Sequence, residues 1–105
     1  MAVLTVTNIT ETLSVNGEQP VAWGGAGMEV EVFKVAPASN AKITVGDTAT
    51  ITPRFISDIR AIIGSTFPIS HDLDPTTVET SIALTSDVFS AANGNWGFVT
   101  IIGRR

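Results

Sequence analysis

The feature that most constrains this chain is its choice of apolar residues. Its 105 residues contain eleven valines and eleven isoleucines but only four leucines, and they also contain fourteen threonines. Side chains that branch at Cβ lose rotamer freedom in a helix and pack well on the pleated surface of a sheet. The composition therefore predicts an all-β protein.

Two segments in the first third of the chain alternate in the way that half-buried strands do. They are residues 2–9 and residues 28–35. In the second segment, Glu29 and Glu31 share a face that we expect to be solvated. In the first segment, Leu4 and Val6 share one face. In the second, Met28, Val30 and Val32 share the face opposite the glutamates.

The second of these strands carries apolar groups on both faces at its far end. Phe33 and Val35 follow the two glutamates on the same face. This pattern predicts either a bulge near residues 32–33 or a strand end that is covered on both sides.

Three later segments also have strand patterns. In residues 41–53, the pair Gly46-Asp47 predicts the turn of a hairpin. Residues 78–90 alternate, and residues 97–105 are apolar on both faces, which is typical of a central or interface strand. In the hairpin, Ile43 and Val45 are expected on the strand before the turn, and Ala49 and Ile51 on the strand after it. In residues 78–90, the side chains expected to share one face are Val78, Ile82, Leu84 and Val88.

Residues 53–64 fit two structures. Thr52 and Gly64 are suitable caps for a short helix that has Pro53 at its first position. The alternating aromatic and isoleucine side chains fit a strand, which the all-β composition favours.

The strands and the turn signals between them predict one domain over residues 1–105, an antiparallel β-sandwich or a small β-barrel. Residues 1–9 are expected to be an N-terminal arm or an edge strand. A short helix near 53–64 is the alternative to one further strand.

The charge of the chain disfavours several functions. The net charge is −4, with only six lysines and arginines, so no basic stripe is available for nucleic acid. Cysteine is absent, which excludes disulfides, thiolate metal sites and a thiol nucleophile. We expect no membrane-spanning segment and no signal peptide. The charged fraction of 15% and the mean hydropathy of +0.32 indicate a surface that partner subunits cover in part.

No motif in the sequence predicts catalysis. The glycine cluster in residues 24–27 precedes a strand, whereas a phosphate-binding loop needs a helix after it. The single histidine, His71, lies with Asp72 and Asp74 in SHDLDP, which is typical of a surface turn. The carboxylate pair Glu29/Glu31 is typical of a solvated face. We therefore expect a protein that is not an enzyme, with no catalytic residue, no cofactor and no metal.

Two tryptophans are candidate contact residues. Trp23 adjoins the glycine cluster, and Trp96 lies in AANGNWGF. Exposed tryptophans stack on sugar rings or act as interface hot spots, although either could instead fill the core. The interface candidates are Trp23, Met28, Trp96 and Phe98. The terminal Arg104 and Arg105 fit a solubilising end or ion-pair partners equally well.

The layout of the chain resembles that of small structural proteins of tailed bacteriophages, in particular capsid decoration (cement) proteins. The resemblance is carried by the start MAVLTVTN, the cysteine-free body rich in Thr, Val and Ile, the segment GDTATITP and the final GFVTIIGRR. It covers composition and layout over most of the chain, and no family site residue transfers with it.

The resemblance implies a viral protein on the outer capsid surface of the virion. Such proteins are compact β-folds that form homo-oligomers, typically trimers, and clamp the major capsid protein or another virion protein. Neither nucleic acid nor membrane is implied as a partner. A phage tail, fibre or baseplate component is one alternative, and a monomeric β-sandwich module that binds carbohydrate or a cell surface is another.

Overall fold

The computed structural model of the chain describes residues 3–10, 28–37, 42–87 and 96–105. These ranges hold seven β-strands and no α-helix, which confirms the all-β prediction. The strands are β1 (Thr5–Asn8), β2 (Met28–Ala36), β3 (Thr48–Ile51), β4 (Asp58–Ser65), β5 (Ile69–His71), β6 (Ile82–Ser86) and β7 (Gly97–Arg104). Within these ranges, no helix is long and apolar enough to cross a bilayer.

The strands form two antiparallel sheets. One sheet has four strands in the order β1-β2-β7-β4, and the other has three in the order β3-β6-β5. The backbone N–H of Leu4 donates to the carbonyl of Thr48 at 2.7 Å, so the start of β1 is tied to the second sheet. Residues Thr5–Asn8 thus form an edge strand of the chain's own sheet.

The hydrophobic core lies between the two sheets. Strands β2, β3, β4, β6 and β7 each place at least one buried apolar side chain in it, and β1 and β5 pack the partly buried Val6 and Ile69 against it. The fully buried members from the strands are Phe33, Val35, Ala49, Ile51, Ile59, Ile82, Leu84, Val99 and Ile101. Burial of such side chains is the main favourable term in folding.

Strand β7 is central in its sheet, as its apolar pattern predicts. It pairs with β2 in an unbroken register that runs from Met28 opposite Arg104 to Val35 opposite Gly97. The β2 strand therefore contains no bulge, and the first of the two explanations for its apolar far end is wrong.

Residues 58–65 are the strand β4, so the helix alternative near 53–64 is wrong. The register between β4 and β7 shifts by one residue between Ile59 and Ala61 and again between Ile62 and Gly64. Each shift is a β-bulge, which inserts one unpaired residue and changes which side chains face the core. The bulges explain why the burial of the isoleucines in this segment departs from the strict alternation of a regular strand.

The predicted hairpin in residues 41–53 is wrong, although its turn exists. The N–H of Asp47 donates to the carbonyl of Thr44 at 3.3 Å, and Gly46 between them has φ 85°, as in a type II turn. The strand after this turn pairs with β6, with Ala49 opposite Leu84. A turn signal in the sequence shows where the chain turns, but it does not show that the segments on its two sides pair with each other.

Two further predictions about buried faces need correction. Ile82 and Leu84 are buried in β6 as predicted, but Val78 is 72% exposed and lies before the strand begins. In β2 the buried face is the one that carries the glutamates, since Glu31, Phe33 and Val35 are all buried. The predicted solvated face of β2 is therefore the core face.

Candidate interaction surface

The four-stranded sheet has one face that is turned away from the core. Side chains alternate along a strand, and residues directly opposite each other in an antiparallel pair share a face. Since Phe33, Val35, Val99 and Ile101 face the core, their alternates face outward. We call this surface the outer face; its members on the two middle strands are Met28, Val30, Val32, Lys34, Phe98, Thr100, Ile102 and Arg104.

The middle of the outer face is apolar. Val30 lies opposite Ile102, and Val32 lies opposite Thr100. Ile102 is only 8% exposed, and the two valines are half-buried. Lys34 and Arg104 lie at opposite ends of this apolar strip because they occupy opposite ends of the paired register.

At one end of the outer face, two aromatic rings and a lysine are in contact. The ring of Trp96 packs edge-on against Phe98, with 5.1 Å between centroids and 65° between planes. The ammonium of Lys34 lies 5.6 Å from the centroid of the Trp96 ring. Trp96 is 53% exposed. We call Lys34, Trp96 and Phe98 the aromatic patch.

Register explains how the aromatic patch forms. Lys34 is directly opposite Phe98, so both side chains project from the outer face. Trp96 precedes Phe98 by two residues, which brings its ring to the same side at the start of β7. The hydroxyl-bearing Thr7 of β1 lies opposite Lys34 and is exposed.

The core face of the same sheet holds a buried carboxylate, Glu31. Its Oε1 accepts hydrogen bonds from Asn8 Nδ2 and from the backbone N–H of Arg54, both at 2.7 Å. Its Oε2 accepts from the N–H of Phe55 at 3.0 Å and of Ile56 at 2.8 Å. A buried charge is tolerated only where such donors replace water.

The hydrogen bonds of Glu31 fix the segment that enters β4. Three successive N–H groups, those of residues 54–56, point at one side chain, and Asn8 adds a fourth donor from β1. Glu31 is fully buried, and both of its carboxylate oxygens are occupied by these donors. Its role is structural.

In the segment held by Glu31, the ring of Phe55 lies near two guanidinium groups. The Cζ atom of Arg54 lies 4.9 Å from the Phe55 ring centroid, and that of Arg105 lies 5.6 Å from it. Arg105 also pairs with Glu29 at 3.5 Å. Of the two roles left open for this arginine, ion pairing within the chain is therefore one that it fulfils.

The residues around His71 are engaged in local hydrogen bonds. The imidazole Nδ1 accepts from the N–H of Leu73 at 3.2 Å, and Asp72 Oδ1 accepts from the N–H of Ala83 at 2.8 Å. Asp74 Oδ1 accepts from the hydroxyl and the N–H of Thr76, which lowers the pKa of Asp74 below its ordinary value. In the described ranges, no three His, Asp or Glu side chains come together as a metal site.

The interface candidates fall into three places. Trp96 and Phe98 come together in the aromatic patch, while Met28 lies at the opposite end of the outer face beside Arg104. Trp23 and the glycine cluster lie outside the described residues. The sequence analysis did not identify Lys34 as a contact residue. Its position two residues after Val32 indicates that the two share a face, but its place opposite Phe98 depends on a contact between distant segments.

Comparison of the chain with protein-family models, with curated proteins and with solved structures gives no match.

Proposed function

We propose that this chain is a non-enzymatic structural protein of a tailed-bacteriophage virion, a decoration protein that binds the outer surface of the capsid. It acts as a homo-oligomer, with a trimer favoured, and it binds the major capsid protein or another virion protein. The observation that supports this proposal is the outer face, where Trp96, 53% exposed, lies at the end of a strip that contains the half-buried Val30 and Val32. Apolar surface of this kind is typical of protein contact sites.

The size of the outer face favours multivalent binding. A sheet face four strands wide and eight residues long measures roughly 19 Å by 27 Å, or about 500 Å² at most. A stable pairwise interface buries about 800 Å² on each partner. A single copy would thus bind weakly, whereas a trimer on a symmetric lattice makes three such contacts and gains effective concentration for the second and third.

The free energy of such binding comes from apolar burial. Covering Trp96 and the exposed parts of Val30 and Val32 releases water from apolar surface at about 25 cal/mol for each Å² that is removed from solvent. The aromatic ring of Trp96 supplies a large rigid contact area at low entropic cost, as interface hot spots do. Because every partner subunit that is bridged in this way is held to its neighbour, the shell becomes more resistant to heat.

The experiment that tests the proposal has two steps. Light scattering across a concentration series gives the native mass, and a closed oligomer is the expected result. The protein is then mixed with purified expanded phage shells that lack their decoration protein, and sedimentation with the shells is measured, together with their melting temperature. A chain that stays monomeric, and that neither sediments with shells nor raises their melting temperature, contradicts the proposal.

A further inference from the structure

The aromatic patch is a positively charged place on an acidic chain. The net charge is −4, yet the outer-face residues that the register places at the Trp96 end of β1, β2 and β7 carry no carboxylate. They are Thr5, Thr7, Lys34, Ala36, Phe98 and Thr100. A cation next to an exposed ring, without a nearby acid among these neighbours, fits a ligand that is both negatively charged and partly apolar.

We propose that the aromatic patch binds an acidic sugar, that is, a pyranose ring that carries a carboxylate. The half-exposed indole of Trp96 offers an apolar surface for the C–H face of the sugar ring. The ammonium of Lys34, 5.6 Å from the centre of that indole, pairs with the carboxylate. The exposed hydroxyl of Thr7, opposite Lys34 in the sheet, is placed to hydrogen-bond a sugar hydroxyl.

The patch is already assembled before any ligand arrives. The Phe98 ring contacts the Trp96 ring at 5.1 Å between centroids, and the backbone of Phe98 is fixed by two hydrogen bonds to Thr66. Its N–H donates to Thr66 Oγ at 2.9 Å, and its carbonyl accepts from the N–H of Thr66 at 3.0 Å. A ring that is fixed in advance loses little entropy on binding, which favours a small ligand.

This inference is tested separately from the capsid role. The patch shares Trp96 with the proposed capsid contact, so the two proposals are distinguished by what is measured and not by their place on the outer face. Sugar binding is measured on the isolated chain, and capsid binding is measured on shells, so either proposal can fail while the other stands.

The test uses two-dimensional NMR of the intact chain. The protein has only two tryptophans, so its spectrum contains two indole N–H signals, and Trp96→Phe identifies the one that belongs to Trp96. Glucuronate is titrated, with glucose as the neutral ring and acetate as the carboxylate without a ring. We expect a saturable shift of the Trp96 indole signal with glucuronate, at a dissociation constant of about 1 mM, which is usual for a ligand of this size.

Variants separate the two parts of the recognition. Lys34→Gln is expected to weaken glucuronate binding about fivefold and to leave glucose binding unchanged, because only the ion pair is lost. Lys42→Gln, at an exposed lysine outside the outer face, is the matched control and should bind glucuronate like the unchanged chain. Trp96→Ala should abolish binding of both sugars; the amide spectrum verifies that each variant is folded.

Four results would overturn the inference. The first is no shift of the Trp96 signal with glucuronate up to about 50 mM, well above the affinity expected for such a ligand. The second is equal binding of glucose and glucuronate, and the third is an equal shift with acetate alone. The fourth is an equal loss of binding in Lys34→Gln and Lys42→Gln, which would show a general effect of charge.

Discussion

At the scale of single residues, Glu29 and Glu31 show how strongly the environment decides a side chain's role. They lie two residues apart on one face of β2, yet one is half-buried with a single ion pair to Arg105, and the other is fully buried with four N–H donors. The donors come from segments 23 to 25 residues away along the chain. Because no local sequence pattern indicates these distant donors, the sequence predicted that Glu29 and Glu31 share a solvated face.

Replacing Glu31 with Gln should destabilise the fold strongly. The amide nitrogen of Gln cannot accept, so two of the N–H donors that now bond to the carboxylate are left unpaired in the core. We expect the free energy of unfolding to fall by about 2–4 kcal/mol, from urea denaturation. Glu29→Gln, which removes only a partly solvated ion pair, should cost about 0.5 kcal/mol or less. Equal losses in the two variants would contradict the structural role assigned to Glu31.

Two glycines offer a similar contrast. A Cβ added at Gly103 would collide with the carbonyl oxygen of Asp58 and would lie 2.5 Å from Ile56 Cγ2, whereas a Cβ at Gly64 meets nothing within 4 Å. Gly103→Ala should therefore lower the free energy of unfolding by about 1–3 kcal/mol or more, because the backbone of β4 must move. Gly64→Ala should be neutral or slightly stabilising, by up to about 1 kcal/mol. Thermal denaturation of both variants checks this, and a neutral Gly103→Ala would mean that β4 and β7 do not pack as closely as they do here.

The pKa of Asp74 provides a test on the acidic turn. The hydroxyl and the N–H of Thr76 hold it below its ordinary value, so the carboxylate contributes stability above the ordinary pKa and loses this contribution as the pH falls through the lowered one. Thr76→Val removes the hydroxyl donor and should raise the pKa of Asp74 towards its ordinary value. An NMR titration of the Asp74 carboxyl carbon measures it. An unchanged pKa would show that the hydroxyl bond is not made in solution.

At the scale of the strands, the sequence predicted which segments are extended better than it predicted how they pair. The strands β1, β2, β6 and β7 lie, to within one residue, in segments whose patterns predicted strands, and β4 overlaps the segment where a strand was favoured and ends one residue beyond it. The hairpin failed because β3 pairs with β6, more than 30 residues further along the chain. Alternation indicates which side chains of a strand share a face, and it carries no information on the neighbouring strand.

The order of the strands predicts how hydrogen exchange will vary across the molecule. Strand β7 is bonded on both sides, and β5 is a three-residue strand at the edge of its sheet. Amides of Val99 and Ile101, which are completely buried, should therefore be among the slowest to exchange, and those of Ser70 and His71 among the fastest of the strand residues. Exchange followed by NMR measures this ranking. If β5 were protected as well as β7, an additional strand or a second copy would have to cover its edge.

At the scale of the whole molecule, the sequence predicted the fold class but not which sheet face is turned outward. The excess of β-branched residues was enough for the fold class, since it reflects the average surface that the side chains occupy. The outer face could not be predicted, because the apolar Met28, Val30 and Val32 are the expected buried side of β2. The opposite side is buried instead because backbone N–H groups satisfy Glu31 in the core. Which apolar face is the core and which faces outward is a property of the complete sandwich.

The role of the outer face in association can be tested by placing one charge in its middle. Val32→Lys puts an ammonium opposite Thr100, in the apolar strip that the proposed contact would cover. Desolvating this charge against an apolar partner costs several kcal/mol, so we expect shell binding to be lost. The fold should survive, because the side chain can reach water, and a cost of about 1 kcal/mol corresponds to a fall in Tm of roughly 4–8 °C.

Thr50→Lys, exposed on β3 of the other sheet, is the control and should associate normally. Light scattering and shell sedimentation compare the two variants. Normal association of Val32→Lys would move the contact away from the outer face, and equal loss in both variants would indicate a general effect of added charge.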